Sequence, residues 1–144
     1  MDIREKMHSG ELYFPGDEEL VKEQLGYLEK LYDFNQTRPN EQEKRAHMLK
    51  EMFAEVGENC YIEPPLHCNF GGRHVHFGKN VYANFNLTLV DDTHIYVGDY
   101  TMFGPNVTVA SAGHRLGRAR GRGSTAMHCS MATIFMLNRV MRLL

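Results

Sequence analysis

Short segments of β-forming residues recur at a spacing near six between residues 77 and 109. Each unit has an apolar residue at its first position, turn-forming Gly, Asn or Asp in the middle, and a small or apolar residue at its fifth position. The units begin at Phe77, Ala83, Leu89, Val97, Phe103 and Val109, with a slip of two residues before Val97. Six residues of this pattern make one flat face of a triangular coil, with the first position pointing inward. The repeat therefore predicts a parallel β-helix of stacked coils, and an antiparallel meander with similar turns is the alternative.

The residues before this repeat have a helical period. From Asp17 onward, apolar residues recur at steps of three and four, and Asp17 is suited to cap the first helix. Pro39 interrupts this pattern. Asn40 and Glu43 then resemble a capping box at the start of a second helix, which Gly57 would end. Two antiparallel helices are therefore expected.

The last part of the chain has a third kind of composition. All 18 Asp and Glu residues lie at or before Asp99, whereas residues 115–144 contain six arginines and no acid. The six-residue repeat stops at Arg115. The chain therefore divides into a helical cap over residues 1–57, a partial β-helix over residues 58–114, and a tail that is expected to be disordered or helical.

Two features of this tail are typical of binding segments. The run RLGRARGRG is an arginine-glycine segment of the kind that binds nucleic-acid backbones, although no aromatic residue interrupts it. From Met127 onward, the sequence could form an amphipathic helix against a partner or a membrane surface. The favoured interpretation of the residues from Met127 onward is an apolar stretch that has no selected function. Neither a nucleic-acid partner nor a membrane partner is therefore expected.

Length and composition indicate one ordinary globular unit. The 144 residues are 42% hydrophobic with a formal net charge of −2, which argues against disorder. The three cysteines suit no disulfide framework and contain no CxxC pair, which favours a reducing compartment. The N-terminal residues MDIREKMHSGELY contain no apolar core of a signal peptide, and no stretch is long enough to cross a bilayer. A cytoplasmic location is expected.

Four sequence blocks resemble those of a known family. EPP, YANFN, VDD and PNVT followed by GH occur in order within residues 59–114. In combination they resemble the maltose and galactoside O-acetyltransferases of the hexapeptide-repeat superfamily, and the resemblance extends over residues 1–114. It implies a mainly β fold, a left-handed parallel β-helix behind a two-helix cap. It also implies a homotrimer with active sites between subunits, acetyl-CoA as the acetyl donor, and a sugar hydroxyl as the acceptor.

The resemblance also assigns roles to individual residues. The GH motif makes His114 the catalytic base, which takes the proton of the acceptor hydroxyl as its oxygen attacks the thioester; a histidine of ordinary pKa is suited to this transfer. Asn84 of YANFN and Asp92 of VDD match positions that line the acceptor pocket, and Asn69 matches a third position in a looser alignment. The alternative is that Asn84 and Asp92 are corner residues that serve turn geometry. Phe14 stands where the family often has an acid, which puts one acceptor contact in doubt.

The sequence departs from the family pattern after His114. Arg115 replaces the usual proline, and the further coils that carry most coenzyme A contacts in the family do not follow. No residue is therefore assigned to coenzyme A, and an oxyanion contact from a later coil is not expected. This departure suggests a truncated or frameshifted family member. The alternative function is a catalytically impaired remnant that binds sugars or forms oligomers.

Two other groups of residues, histidines and cysteines, are of types that can bind a metal or react. His74 and His76 alternate along a predicted strand, and His94 lies one coil later. They could form a metal site, but no carboxylate or Cys accompanies them in a ligand pattern, so solvent-facing histidines are the favoured interpretation and no metal is expected. Cys60 and Cys68 are expected to be core residues.

Overall fold

The computed structural model describes residues 1–114, 127–129 and 132–134. Three helices lie at the N-terminal end: α1 (Ile3–Ser9), α2 (Glu18–Asn35) and α3 (Gln42–Met52). Asp17 caps α2 as predicted, because its Oδ1 accepts a hydrogen bond from the main-chain N of Leu20 at 3.1 Å. The short helix α1 was not predicted. In the part of the chain that the structure describes, no helix is long and apolar enough to cross a membrane.

The predicted boundaries of the second helix are wrong at both ends. Its N-cap is Glu41, not Asn40, and the Glu41 side chain accepts from the main-chain N of Arg38 at 2.7 Å. The helix stops at Met52 instead of running to Gly57, because the next residues adopt extended geometry and join a sheet. The β-helix therefore begins at Glu55.

Nine short strands make the three faces of the β-helix up to Ala110. In chain order they are β1 Glu55–Val56, β2 Tyr61–Ile62, β3 Leu66–Cys68, β4 Val75–Phe77, β5 Tyr82–Ala83, β6 Leu87–Val90, β7 Ile95–Val97, β8 Met102–Phe103 and β9 Thr108–Ala110. The first sheet contains β1, β4 and β7, the second contains β2, β5 and β8, and the third contains β3, β6 and β9. Every pair within these sheets is parallel, which confirms the predicted β-helix.

The inward positions of the repeat form one core. The inward side chains of the strands, and of Val81 just before β5, are at most 3% exposed: Val75, Phe77, Val81, Ala83, Leu87, Leu89, Ile95, Val97 and Phe103. Helices α2 and α3 close one end of this core with Phe34, Leu49 and Phe53. Cys68 is buried in the same core as predicted, while Cys60 is half-buried.

The coil is wider than three six-residue units. Val75 pairs with Ile95 and Leu66 pairs with Leu87, so one turn takes 20 or 21 residues. From Val75 onward, the buried inward residues, with Thr101 among them, follow each other at steps of two and four, but the step from Leu89 to Ile95 is six. The additional residues lie where the chain passes from the third sheet to the first. We call this region, made of segments 69–74 and 91–94, the wide corner.

The other two corners are tight and use left-handed backbone. Four asparagines and one tyrosine at these corners have φ between 56° and 62°: Asn59, Asn80, Asn86, Tyr100 and Asn106. Asparagine tolerates this conformation better than other residues that carry a Cβ. The asparagines of the repeat therefore set the corner geometry as predicted.

The chain leaves the coil after Ala110. Strands β10 (Ala112–His114) and β11 (Met127–Cys129) form an antiparallel hairpin, and β12 (Ala132–Ile134) returns to pair in parallel with β7. The tail was expected to be disordered or helical, but these six tail residues are strands. Their pairing uses main-chain groups at an open sheet edge, which needs no six-residue pattern. The alternative of an amphipathic helix from Met127 onward is therefore wrong for Met127–Cys129 and Ala132–Ile134, while the arginine-glycine run lies outside the described residues.

Candidate active site

Asp92 lies at the wide corner with its carboxylate held from two sides. Its Oδ2 accepts a hydrogen bond from the Tyr13 hydroxyl at 2.6 Å, and its Oδ1 accepts one from Nδ2 of Asn69 at 2.6 Å. Asp92 is 1% exposed. Burial of a carboxylate without such donors would be costly. The structure therefore brings together two of the residues predicted for the acceptor pocket, Asn69 and Asp92.

The side-chain amide of Asn69 has a defined orientation. A carboxylate only accepts hydrogen bonds, so the NH₂ group of Asn69 must face Asp92. The Asn69 Oδ1 atom then faces helix α2, where Nε2 of Gln24 donates to it at 3.1 Å and to the main-chain oxygen of Asn69 at 2.9 Å. Both ends of the amide are therefore fixed by partners.

The neighbouring acid Asp91 is a structural clamp that sequence reasoning missed. It is fully buried, and its carboxylate accepts from the main-chain N of Phe70 at 2.7 Å and of Gly72 at 2.9 Å. Burial raises the pKa of Asp91 to about 6. The clamp joins two successive turns at the wide corner. The available signal was VDD placed one coil after GG, since backbone N–H groups beside glycines attract a carboxylate.

Ser111 links the wide corner to the strand that carries His114. Its Oγ accepts from the main-chain N of Thr93 at 3.1 Å and lies 2.8 Å from the main-chain oxygen of Val90. Ala112, the next residue, packs against a small cluster formed by Met7, Tyr13, Leu20 and Phe70. Strand β10 therefore starts beside the Tyr13–Asp92 pair.

His114 is exposed at the end of β10, where it pairs with Met127 of β11. Within the described ranges, no hydrogen bond or ion pair joins His114 to Asn69 or Asp92. The predicted base is therefore connected to the wide corner through Ser111 at the start of its strand, and its imidazole is open to solvent.

Asn84 lies at a different corner, between β5 and β6. Its Oδ1 accepts a hydrogen bond from the main-chain N of Phe85 at 2.8 Å, which is a local turn contact. A single chain therefore does not bring Asn84 to the wide corner. This contact agrees with the alternative that Asn84 serves turn geometry, and its predicted role in the acceptor pocket stays a prediction.

A groove of about 310 Å³ lies on the third sheet next to the wide corner. Two adjacent strands and the start of the corner line it, through His67, Cys68, Asn69, Thr88, Leu89 and Val90. Its volume is at the lower end of the range for small-molecule sites. Asn69 is the residue that this groove shares with the hydrogen-bonded pair.

The predicted solvent-facing histidines instead pack against each other. His74 and His94 are 5.4 Å apart between ring centroids, and His8 of α1 lies 4.7 Å and 5.0 Å from them. His76 extends this cluster, with Nε2 at 2.8 Å from Nδ1 of His94. Burial lowers the pKa of His74 to about 4 and also lowers the pKa of His8 and His94. The solvent-facing interpretation is wrong because α1, which was not predicted, covers this face. Over the residues that the structure describes, no set of three or more His, Cys, Asp or Glu is arranged to hold a metal.

Comparison with known proteins identifies the family of the cap and the coil. A family described as the maltose acetyltransferase hexapeptide capping motif matches residues 6–57. The galactoside O-acetyltransferase of Lactococcus lactis subsp. lactis is 56% identical over 114 residues, which cover 79% of this chain and 55% of that protein. The galactoside O-acetyltransferase of Escherichia coli K12 is 43% identical over the same length, covering 79% and 56%. The chain thus spans a little more than half the length of these curated relatives.

Solved structures extend the correspondence. A galactoside acetyltransferase in complex with coenzyme A superposes with a TM-score of 0.84 at 35% identity, covering 94% of this chain and 73% of that one. A maltose O-acetyltransferase from Clostridium difficile 630 gives a TM-score of 0.85 at 35% identity, covering 91% and 69%. With its capping motif, its stacked coils and these relatives, the chain belongs to the maltose and galactoside O-acetyltransferase family, which folds as a left-handed parallel β-helix.

Proposed function

We propose that this protein transfers the acetyl group of acetyl-CoA to a hydroxyl of a sugar, a galactoside or a maltose- or glucose-like acceptor. The observation that carries the proposal is the Asn69–Asp92 pair at the wide corner, from which the strand bearing His114 departs. The amide N–H and the carboxylate suit a sugar hydroxyl, which both accepts and donates hydrogen bonds. The relatives that match the chain are named galactoside and maltose acetyltransferases, and one is in complex with coenzyme A.

In this proposal His114 is the general base. Its imidazole takes the proton of the acceptor hydroxyl while the oxygen attacks the thioester carbonyl. As the tetrahedral intermediate collapses, the C–S bond breaks and the imidazolium returns the proton to the leaving thiolate. The products are the acetylated sugar and coenzyme A. The exposure of His114 supports this role, because the base must reach both substrates.

Asn69 and Asp92 hold the acceptor in different ways. Asp92 is 1% exposed and Asn69 is half-buried beside the groove, which supports Asn69 as the direct contact with Asp92 behind it. Asn84 is proposed to complete the pocket from a neighbouring subunit of a trimer. The exposed apolar side chains of Phe85, Tyr100 and Met102 support such a subunit contact near Asn84.

Acetyl transfer to a panel of galactosides, maltose and glucose tests the proposal, with the acetylated sugar measured by mass spectrometry. His114→Ala is expected to lower the rate by a factor of about 10² or more. His47→Ala removes an exposed histidine of α3 and is the matched control, expected to leave the rate unchanged. Equal rates for wild type and His114→Ala would favour the alternative, a β-helix that binds sugars without acetylating them.

A further inference from the structure

The helical cap supplies two side chains to the polar network of the wide corner. The Tyr13 hydroxyl reaches Asp92 across 79 positions of sequence, and the Gln24 amide reaches Asn69 from α2. These hydrogen bonds form one chain of contacts, Gln24 to Asn69 to Asp92 to Tyr13. The two middle members belong to the coil, and the two outer members belong to the cap.

The geometry points to Tyr13 and Gln24 as positioning residues: they hold Asp92 and Asn69 in the orientation that binds the acceptor hydroxyl. This inference rests on the proposed function, because it assumes that Asn69 contacts the acceptor. The cap then does more than close the end of the coil, since it fixes which atoms of the Asn69 amide face the groove.

Each hydrogen bond from the cap restricts the orientation of one side chain of the Asn69–Asp92 pair. With its Oδ1 committed to Gln24, Asn69 keeps its NH₂ group toward Asp92, and the second N–H of that group is available to a ligand oxygen. With its Oδ2 committed to Tyr13, Asp92 cannot turn its carboxylate away from Asn69. Hydrogen bonds to an ionised carboxylate are stronger than those between neutral groups, so the Tyr13 contact is an effective anchor.

The hydroxyl of Tyr13 can be separated from the packing of its ring. The ring is 3% exposed and packs with Met7, Leu20 and Phe70. Tyr13→Phe keeps this apolar packing and removes the hydroxyl that donates to Asp92. Gln24→Glu keeps the shape of the side chain and removes the donor to Asn69. Both substitutions therefore change the hydrogen bonds of the wide corner while they preserve the packing of the hydrophobic core.

The kinetic test compares these two variants with wild type and with Tyr32→Phe, a control on the exposed face of α2. We expect the KM for the sugar acceptor to rise about tenfold in Tyr13→Phe, the loss typical of one hydrogen bond to a charged group, and by about threefold to tenfold in Gln24→Glu, which loses a hydrogen bond between neutral groups. The KM for acetyl-CoA should stay within about twofold of the wild-type value, because a change in the orientation of Asn69 and Asp92 does not alter the binding of acetyl-CoA. A general loss of folding would instead raise both KM values or lower kcat alone, and that outcome would overturn the inference.

A second readout does not depend on turnover. In ¹H–¹⁵N spectra, the side-chain NH₂ signals of Asn69 should shift when millimolar methyl galactoside, maltose or glucose is added to wild type, and should shift less in both variants. If acetyl transfer occurs but no sugar shifts the side-chain NH₂ signals of Asn69, the positioning inference fails and the proposed function stands. If the wild-type signals shift, the shifts are smaller in both variants, and no acetylated sugar forms, the proposed function fails while the positioning of a sugar-binding pair stands.

Discussion

The Nδ1 atom of His74 lies 2.7 Å from the main-chain oxygen of Asp91. Because a carbonyl oxygen only accepts hydrogen bonds, Nδ1 carries a proton. Burial lowers the pKa of this imidazole from 6.5 to about 4. Folding therefore keeps His74 neutral at pH values where an exposed histidine would be charged.

This contact predicts a loss of stability in mild acid. The unfolded chain binds a proton at His74 near pH 6.5, whereas the folded chain does so near pH 4, so stability falls as the pH falls through this window. The loss from His74 alone is about 3 kcal/mol in order of magnitude. His74→Gln should lose less stability than wild type between pH 6.5 and 4, measured by urea unfolding at each pH.

Asp91 acts in the opposite direction, and a matched control separates the two groups. Burial raises the pKa of Asp91 from 3.8 to about 6, so its protonation stabilises the fold as the pH falls. Wild type and His74→Gln both carry Asp91, so the difference between them cancels its contribution. His47→Gln, at an exposed site, should follow wild type. Parallel curves for wild type and His74→Gln would mean that folded His74 titrates normally.

The Asp91 clamp predicts a large effect from a small change. Asp91→Asn keeps one oxygen for the main-chain N–H of Phe70 or Gly72, but turns an NH₂ group toward the other N–H donor. Leaving a buried donor unsatisfied costs about 1–3 kcal/mol. At pH 7.5 this variant should lower the free energy of unfolding by that amount.

Asp99→Asn is the matched control for the clamp. Asp99 is exposed, and its Oδ1 accepts from the main-chain N of Lys79 at 2.9 Å. An asparagine oxygen can keep that bond, so the change should be within about 0.5 kcal/mol, as for other surface substitutions. If the Asp91 and Asp99 variants unfold at the same urea concentration, the clamp contributes little.

Close approach of two coil turns predicts that Gly57 cannot be enlarged. A Cβ at this position would lie 2.5 Å from the main-chain carbonyl of Gly78, and backbone atoms cannot move aside as a flexible side chain can. Gly57→Ala should lower the free energy of unfolding by about 1–3 kcal/mol, the usual cost of overpacking. Gly104→Ala, where no atom lies within 4 Å of the added carbon, should change the midpoint of thermal unfolding little. Equal midpoints for the two alanine variants would contradict this close approach.

The repeat of the sequence predicted the core because burial in a coil is periodic. Phe77, Val97 and Phe103 occupy first positions and are at most 3% exposed. The asparagines at the tight corners were predictable for a related reason, since a left-handed corner limits the choice of residue. Fold class and inward residues are therefore accessible from one sequence.

The wide corner was less predictable because it interrupts the repeat. VDD contributed Asp92 through a family resemblance, but nothing local indicates that Tyr13 lies within hydrogen-bond distance of it. The Asp91 clamp depends on main-chain N–H groups of the preceding turn, for which the GG and VDD blocks give only an indirect signal. The cover of His74 by α1 was missed because that helix has only seven residues, too few for a clear period.

The additional residues at the wide corner vary in number without affecting the pairing of the strands. Ladder pairing and inward packing repeat identically on both sides of the corner, so its segments can differ in length, six residues between β3 and β4 but four between β6 and β7, without a change of register in the sheets. The length of the wide corner can therefore change from one turn to the next while the three parallel sheets keep their pairing, so this edge is where the coil can accept additional residues.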